Sequence, residues 1–170
     1  MIRLDFKYEG VAAALAEATR RLDDMTPVYE GIGDYMVEAT KERFRKGVDP
    51  DGDAWAPKSP ATLAAYLARG DGVRPKPLIG PTRRLSSEVA RFVSRDSVEI
   101  GSALEYSAVM QRGARKGAFG RDSRNNPIPW GDIPARVWLG LSEADETRII
   151  AIADEHLGDA FDDRGFNLPV

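Results

Sequence analysis

Along this chain the spacing of hydrophobic residues changes repeatedly, and each change marks off a short strand, a helix or a stiff loop. Ile2, Leu4, Phe6 and Tyr8 alternate with polar residues, which predicts a short strand stopping at Gly10. Val11, Leu15, Ala18 and Leu22 then fall at helical spacing. A second helix opens where Thr26 can cap the free amides and Pro27 fits the first helical position. Its apolar stripe is Val28, Ile32, Tyr35, Met36 and Ala39, extended by Phe44, and it stops at Gly47. Gly31 and Gly33 each weaken that helix by about 1 kcal/mol relative to alanine. Glycine there leaves room for close packing on another helix.

A turn cluster follows, Gly47-Val48-Asp49-Pro50-Asp51-Gly52-Asp53-Ala54-Trp55-Ala56-Pro57, with Trp55 as its buried residue and Asp49, Pro50 and Gly52 as its structural turn positions. Ser59-Pro60 repeats the cap-plus-proline start, and a short helix carrying Leu63, Tyr66 and Leu67 ends at Gly70. Residues 71–84 read as a basic, proline-bearing mobile loop. Residues 85–94 and 97–102 predict a hairpin turning at Arg95-Asp96, with Phe92 out of phase. Residues 103–111 predict one or two helical turns around Leu104, Tyr106 and Val109, and residues 113–126 a flexible glycine- and arginine-rich loop.

The stretch from Asn126 to Ser142 organises the rest. Pro127, Pro129 and Pro134 fix φ and delete three backbone donors, so its first half is neither helix nor central strand. It nevertheless carries Trp130, Ile133, Val137, Trp138 and Leu139, the composition of a pre-shaped surface docked on its own core or offered to a partner. Residues 136–141 predict a third strand. Ser142-Glu143-Ala144-Asp145 resembles a capping box, opening a last helix with Ile149, Ile150, Ala153, Leu157 and Phe161 on one side. The expected fold is therefore α+β: N-terminal helices and a C-terminal helix on a small antiparallel sheet, with long basic loops. One domain spans residues 1–161 and a tail residues 162–170.

Composition narrows the chemistry. Across 170 residues, 42% hydrophobic and 30% charged, there is no cysteine, which removes disulfides, thiolate catalysis and cysteine-ligated metals. No apolar run reaches the roughly 18 residues of a membrane span, and the N-terminus does not read as a signal peptide. The net charge of −3 is unevenly spread. Arg69, Arg74, Lys76, Arg83 and Arg84 face Asp71 alone, and Arg112, Arg115, Lys116, Arg121 and Arg124 face Asp122 alone. Residues 143–163 carry eight carboxylates against Arg148. Such a chain can attract copies of itself head to tail, though charge runs are also ordinary solvated faces.

No catalytic, metal or cofactor site emerges. Asp49, Asp51 and Asp53 imitate the start of a calcium loop, but Ala54 stands where that loop needs glycine and Pro60 where it needs glutamate. Gly31, Gly33, Gly113, Gly117 and Gly120 do not form a phosphate loop, and the single histidine, His156, has no second ligand. The arginine-rich loop can touch phosphates, with Phe119 alone as a stacking residue; its rival role is an arm meeting an acidic surface on a neighbour.

Four segments in order then resemble one family, the phage virion morphogenesis proteins of the tail-completion type found in Mu-like and P2-like phages. They are Arg43-Phe44 with the turn cluster through Pro57 and then Thr62; Leu78-Ile79 to Leu85; Val98-Glu99-Ile100-Gly101 with Tyr106-Ser107-Ala108-Val109-Met110-Gln111-Arg112-Gly113; and Ile133-Pro134-Ala135-Arg136-Val137-Trp138-Leu139-Gly140-Leu141-Ser142. Together they span roughly residues 30 to 160. The departures are Arg83 in place of a glycine, Met110 in place of a histidine and Arg112 in place of an aromatic residue.

The resemblance implies a structural, non-enzymatic virion protein, assembled in the host cytoplasm and placed at the tail or head–tail junction. It would complete the tail or join it to the head as a ring of its own copies, alongside other tail or neck proteins. The alternative is a protein lining the neck or connector and contacting DNA. On that view Trp130, Ile133, Pro134, Arg136, Trp138 and Leu139 would pack at an interface, while Arg83, Arg84, Arg112, Arg115, Lys116 and Arg121 order on neighbouring subunits; Trp55, Asp49, Pro50, Gly52 and Tyr106 would be structural.

Overall fold

A computed structural model of the chain describes residues 9–162, with side chains from 10 to 158. The alternation at residues 2–8, the Phe161 side chain and the tail beyond Asp162 lie outside the described residues. Within them the elements are α1 (Glu9–Asp23), α2 (Thr26–Lys46), α3 (Pro60–Ala68), α4 (Arg84–Ser87), β1 (Ala90–Val93), β2 (Val98–Gly101), α5 (Ser107–Arg112) and α6 (Glu143–Asp162). The fold is α+β, with α2 at its centre: α6 packs on one side of it, and the β1–β2 hairpin and α4 on another.

Local chemistry explains most boundaries. Gly47 ends α2 in the left-handed region at φ 80°, its amide donating to Arg43 O. Ser59 Oγ accepts from the Thr62 amide, and Pro60 needs no donor in the first turn. At α6, Ser142 Oγ accepts from the Asp145 amide while Asp145 Oδ2 accepts from the Ser142 amide and hydroxyl, a reciprocal box with aspartate as the returning carboxylate. Thr26 does not cap α2. It is the first residue of the helix, with Pro27 second and Met25 before it lacking a side-chain cap bond, and Asp24 Oδ1 accepts from the Thr26 amide at 3.1 Å.

The hairpin pairs Ala90 with Gly101 and Val93 with Val98, turning at Arg95-Asp96. Its first strand is shorter than predicted, because residues 84–87 coil into α4 and bury Leu85. Gly33 lets this hairpin close on α2: a Cβ there would stand 2.5 Å from Arg91 Cδ and 3.1 Å from Val98 Cγ2. Gly31 does the same for α6, where a Cβ would meet Ile152 Cγ2 at 3.2 Å.

The core is a cluster of Phe44, Trp55, Leu85, Val89, Leu104 and Trp138. Phe44 meets Trp55 edge-on at 5.3 Å and Trp138 at 5.8 Å, offset geometries that suit aromatic quadrupoles. The predicted stripe of α1 does not join it. Ala14 is buried, but Val11, Leu15 and Leu22 are exposed, because α1 packs on α6 through another face, with Arg21 donating to His156 O.

Two further expectations change. Residues 136–141 are extended but pair with no strand among the described residues. The basic segment 71–84 is tied down: Lys58 Nζ donates to Arg74 O and Ile79 O at 2.8 and 2.6 Å, and Lys76 Nζ to Arg45 O at 2.8 Å.

Candidate assembly interface

The extended segment 136–141 takes its hydrogen bonds from a side chain. Gln111 Oε1 accepts from the Trp138 and Leu139 amides at 2.9 and 3.1 Å, and Gln111 Nε2 donates to Leu139 O at 2.7 Å. The Arg136 amide donates to Met110 O. One amide side chain at the end of α5 thus satisfies backbone groups that a neighbouring strand would otherwise serve. Trp138 is buried between these contacts, its Nε1 donating to Ser107 O, while Trp55 Nε1 donates to Val137 O at 2.9 Å. The two indoles sew the segment to the turn cluster and α5.

Where the segment runs into α6, a buried ion pair anchors it. Arg43 on α2 pairs with Asp145 and also donates to Gly140 O at 2.7 Å. Tyr35 Oη donates to Asp145 Oδ1 at 2.8 Å. Burial pushes the Asp145 carboxyl up, but the hydrogen bonds from Ser142 and Tyr35, with the Arg43 charge, outweigh it and hold the group below its ordinary value. Gly140 lies against Pro50, at 2.9 Å from where its Cβ would be. That contact ties the aspartate turn to the same place. In the turn itself Asp49 Oδ1 accepts from the Asp53 amide and Gly52 adopts φ 91°, so the carboxylates build backbone geometry.

The other half of the stretch folds back on residues 113–126 as a long arm. Ala114 and Ile133 exchange both backbone bonds, Phe119 donates to Ile128 O at 2.7 Å, Ile128 to Gly120 O at 2.8 Å, and Asp122 to Asn126 O at 2.9 Å. The arm's two carboxylates are spent on its own amides: Asp132 Oδ1 accepts from Lys116 N, and Asp122 from Arg124 N and Asn126 N. Arg112, Arg115, Lys116 and Arg124 are exposed and form no ion pair among the described residues, and Arg121 reaches back to Asn125 O. Beside them Phe119 and Trp130 stand 55% and 74% exposed. Gly113 roots the arm at φ 72°; a Cβ there would meet Ile133 O at 2.6 Å and Ala135 N at 2.7 Å.

Between the arm's base, α3 and α5 lies a groove of about 720 Å³, with Pro57, Tyr66, Leu78, Tyr106, Met110 and Ile133 among its apolar walls. Its charged wall is Lys58, Arg84 and Arg136 against Asp132. Arg136 is 8% exposed, with Nε and Nη2 donating to Ala56 O and Pro57 O at 2.7 and 2.9 Å. Lys58 lies 4.7 Å over the Tyr66 ring. Burial, with Arg136 and Arg74 nearby, pushes the Lys58 ammonium below its ordinary value, and burial does the same to Arg136.

The residues singled out in the sequence therefore divide. Trp138 and Arg136 point inward, with Trp55 and half-buried Leu139; Trp130, Pro134 and the arm's cations point outward. Ile133, Pro134, Arg84, Arg136 and Tyr106 meet at the groove, whereas Arg83 lies on a different surface with Lys41 and Lys76. Gln111, Lys58 and Tyr66 were missed as functional positions. For Gln111 and Lys58 the one local signal is an amide or an amine beside an apolar residue, Met110 and Pro57. Among the described residues no helix is long and apolar enough to cross a membrane, and no cluster of histidine or carboxylates could hold a metal.

No curated protein and no solved structure matches the chain. The phage virion morphogenesis family does, over residues 6–158, a span that contains the turn cluster, the groove, the arm and most of α6. The chain belongs to the phage virion morphogenesis family and has a structural, virion-associated role in phage assembly.

Proposed function

We propose that this protein completes or terminates the phage tail, or joins the tail to the head, as a ring of its own copies. The observation that carries the reading is the arm: an ordered hairpin holding Trp130 at 74% exposure beside unpaired cations. Large exposed aromatics flanked by arginine are the usual anchors of protein interfaces. The cationic arm and the acidic α6 occupy different surfaces of one chain, which suits heterologous contacts that close into a ring.

Negative-stain microscopy of a lysate from a phage lacking this gene tests it. Full heads with unjoined or over-long tails are the expected result; intact infectious particles would overturn it.

Arg115, Lys116 and Arg124 with Phe119 also favour a second reading, in which the arm lines the path of DNA. That reading requires duplex affinity that falls steeply with salt, one cation released for nearly every phosphate contacted.

A further inference from the structure

We infer that the groove between α3 and α5 receives the acidic first turns of α6 from a second copy, with Glu143 and Glu146 of one chain entering beside Lys58 and Arg136 of the next. The inference rests on the ring reading and names the contact that would build the ring.

The hydrogen bonds of Lys58 and Arg136 all go to backbone carbonyls: neither forms an ion pair among the described residues, Asp132 on the same groove has its Oδ1 engaged by the Lys116 amide, and both cations are partly or wholly withdrawn from water. Arg136 uses Nε and Nη2 on Ala56 O and Pro57 O, which leaves Nη1 with no hydrogen-bond partner. That atom is not sealed in, since Thr40 Oγ1 and His156 Nε2 are the buried side-chain atoms lacking a partner among the described residues. Nη1 thus keeps some accessible surface, on a residue that lines the groove. A partly desolvated cation with a donor to spare and no ion-pair partner favours an entering carboxylate.

The chain carries a matching face. Glu143, Glu146 and Ile150 follow at three- and four-residue spacing, so they share one side of α6. Both glutamates are exposed without an ion pair among the described residues; Ile150 is 61% exposed, and Leu141 just before the helix 52%. An acidic-apolar ridge complements a cationic-apolar groove. Helix α6 packs on α1 and α2, away from the α3–α5 walls, so ridge and groove join copies head to tail.

Sedimentation velocity of the full chain over a concentration series tests this. The wild type self-associates, and the double reversal Glu143→Lys with Glu146→Lys weakens association about tenfold or more. Thr82→Glu, at an exposed groove position with no side-chain hydrogen bond, does the same with an unchanged melting curve. A wild type that stays monomeric, or an α6 reversal that associates normally, overturns the inference. Particle counts separate it from the reading beneath: normal particles from the reversed chain, with none from the deletion, sink this contact alone, while intact particles from the deletion sink the ring.

Discussion

Trp138 and Trp130 belong to one proline-rich stretch, yet the first is 3% exposed and the second 74%. The inner half is held from both sides. Gln111 occupies its backbone, Phe44 packs its indole, Trp55 Nε1 donates to Val137 O, and the Arg43–Asp145 pair fixes its exit into α6. Among the described residues the outer half is held by its own hairpin bonds, and Trp130 and the arm's cations stay exposed. One half spends its apolar residues on stability. The other keeps them available for association.

Four substitutions test that contrast. Trp138→Ala removes an indole from the centre of the core and should lower unfolding free energy by about 3–5 kcal/mol in a urea melt. Asp145→Asn leaves Arg43 buried without its counter-charge, at a cost of about 3 kcal/mol at neutral pH. The same site has a pH signature. Because the folded carboxyl lies below its ordinary value, its contribution is complete above about pH 4 and is lost as pH falls through and below that range. The wild-type melting temperature should therefore drop faster on acidification than that of Asp145→Asn. Gln111→Ala strips the extended segment of its substitute strand and should cost about 1–3 kcal/mol, from backbone amides left unsatisfied. Trp130→Ala, on the outer half, should change stability by no more than about 0.5 kcal/mol in the same urea melt.

How much of this was legible in the sequence depended on how local the cause was. Ser59, Ser142 and Gly47 announce helix ends because their partners lie within four residues. The hairpin turn at Arg95-Asp96 is likewise a short-range event. The apolar stripe of α1 misleads, since helical spacing shows that Val11, Leu15 and Leu22 share a face but not which face α6 will cover. The predicted strand at 136–141 fails for a related reason. Its extended backbone was readable, but its partner is one glutamine far away in sequence, not a second strand. The arm looked flexible because its glycines and arginines are visible locally while the bonds between residues 114 and 133 are not. The groove was least legible of all. Lys58, Leu78, Tyr106 and Arg136 become neighbours only once the core assembles, and Arg136 read as an interface arginine without any hint that two carbonyls would hold it.

The division between a core half and an assembly half is tested most directly by the titre of phage lacking this gene and complemented with Trp130→Ala. The expected chain melts like the wild type while infectious particles fall about tenfold or more, as for loss of an interface anchor. Wild-type titre with that substitution would contradict it.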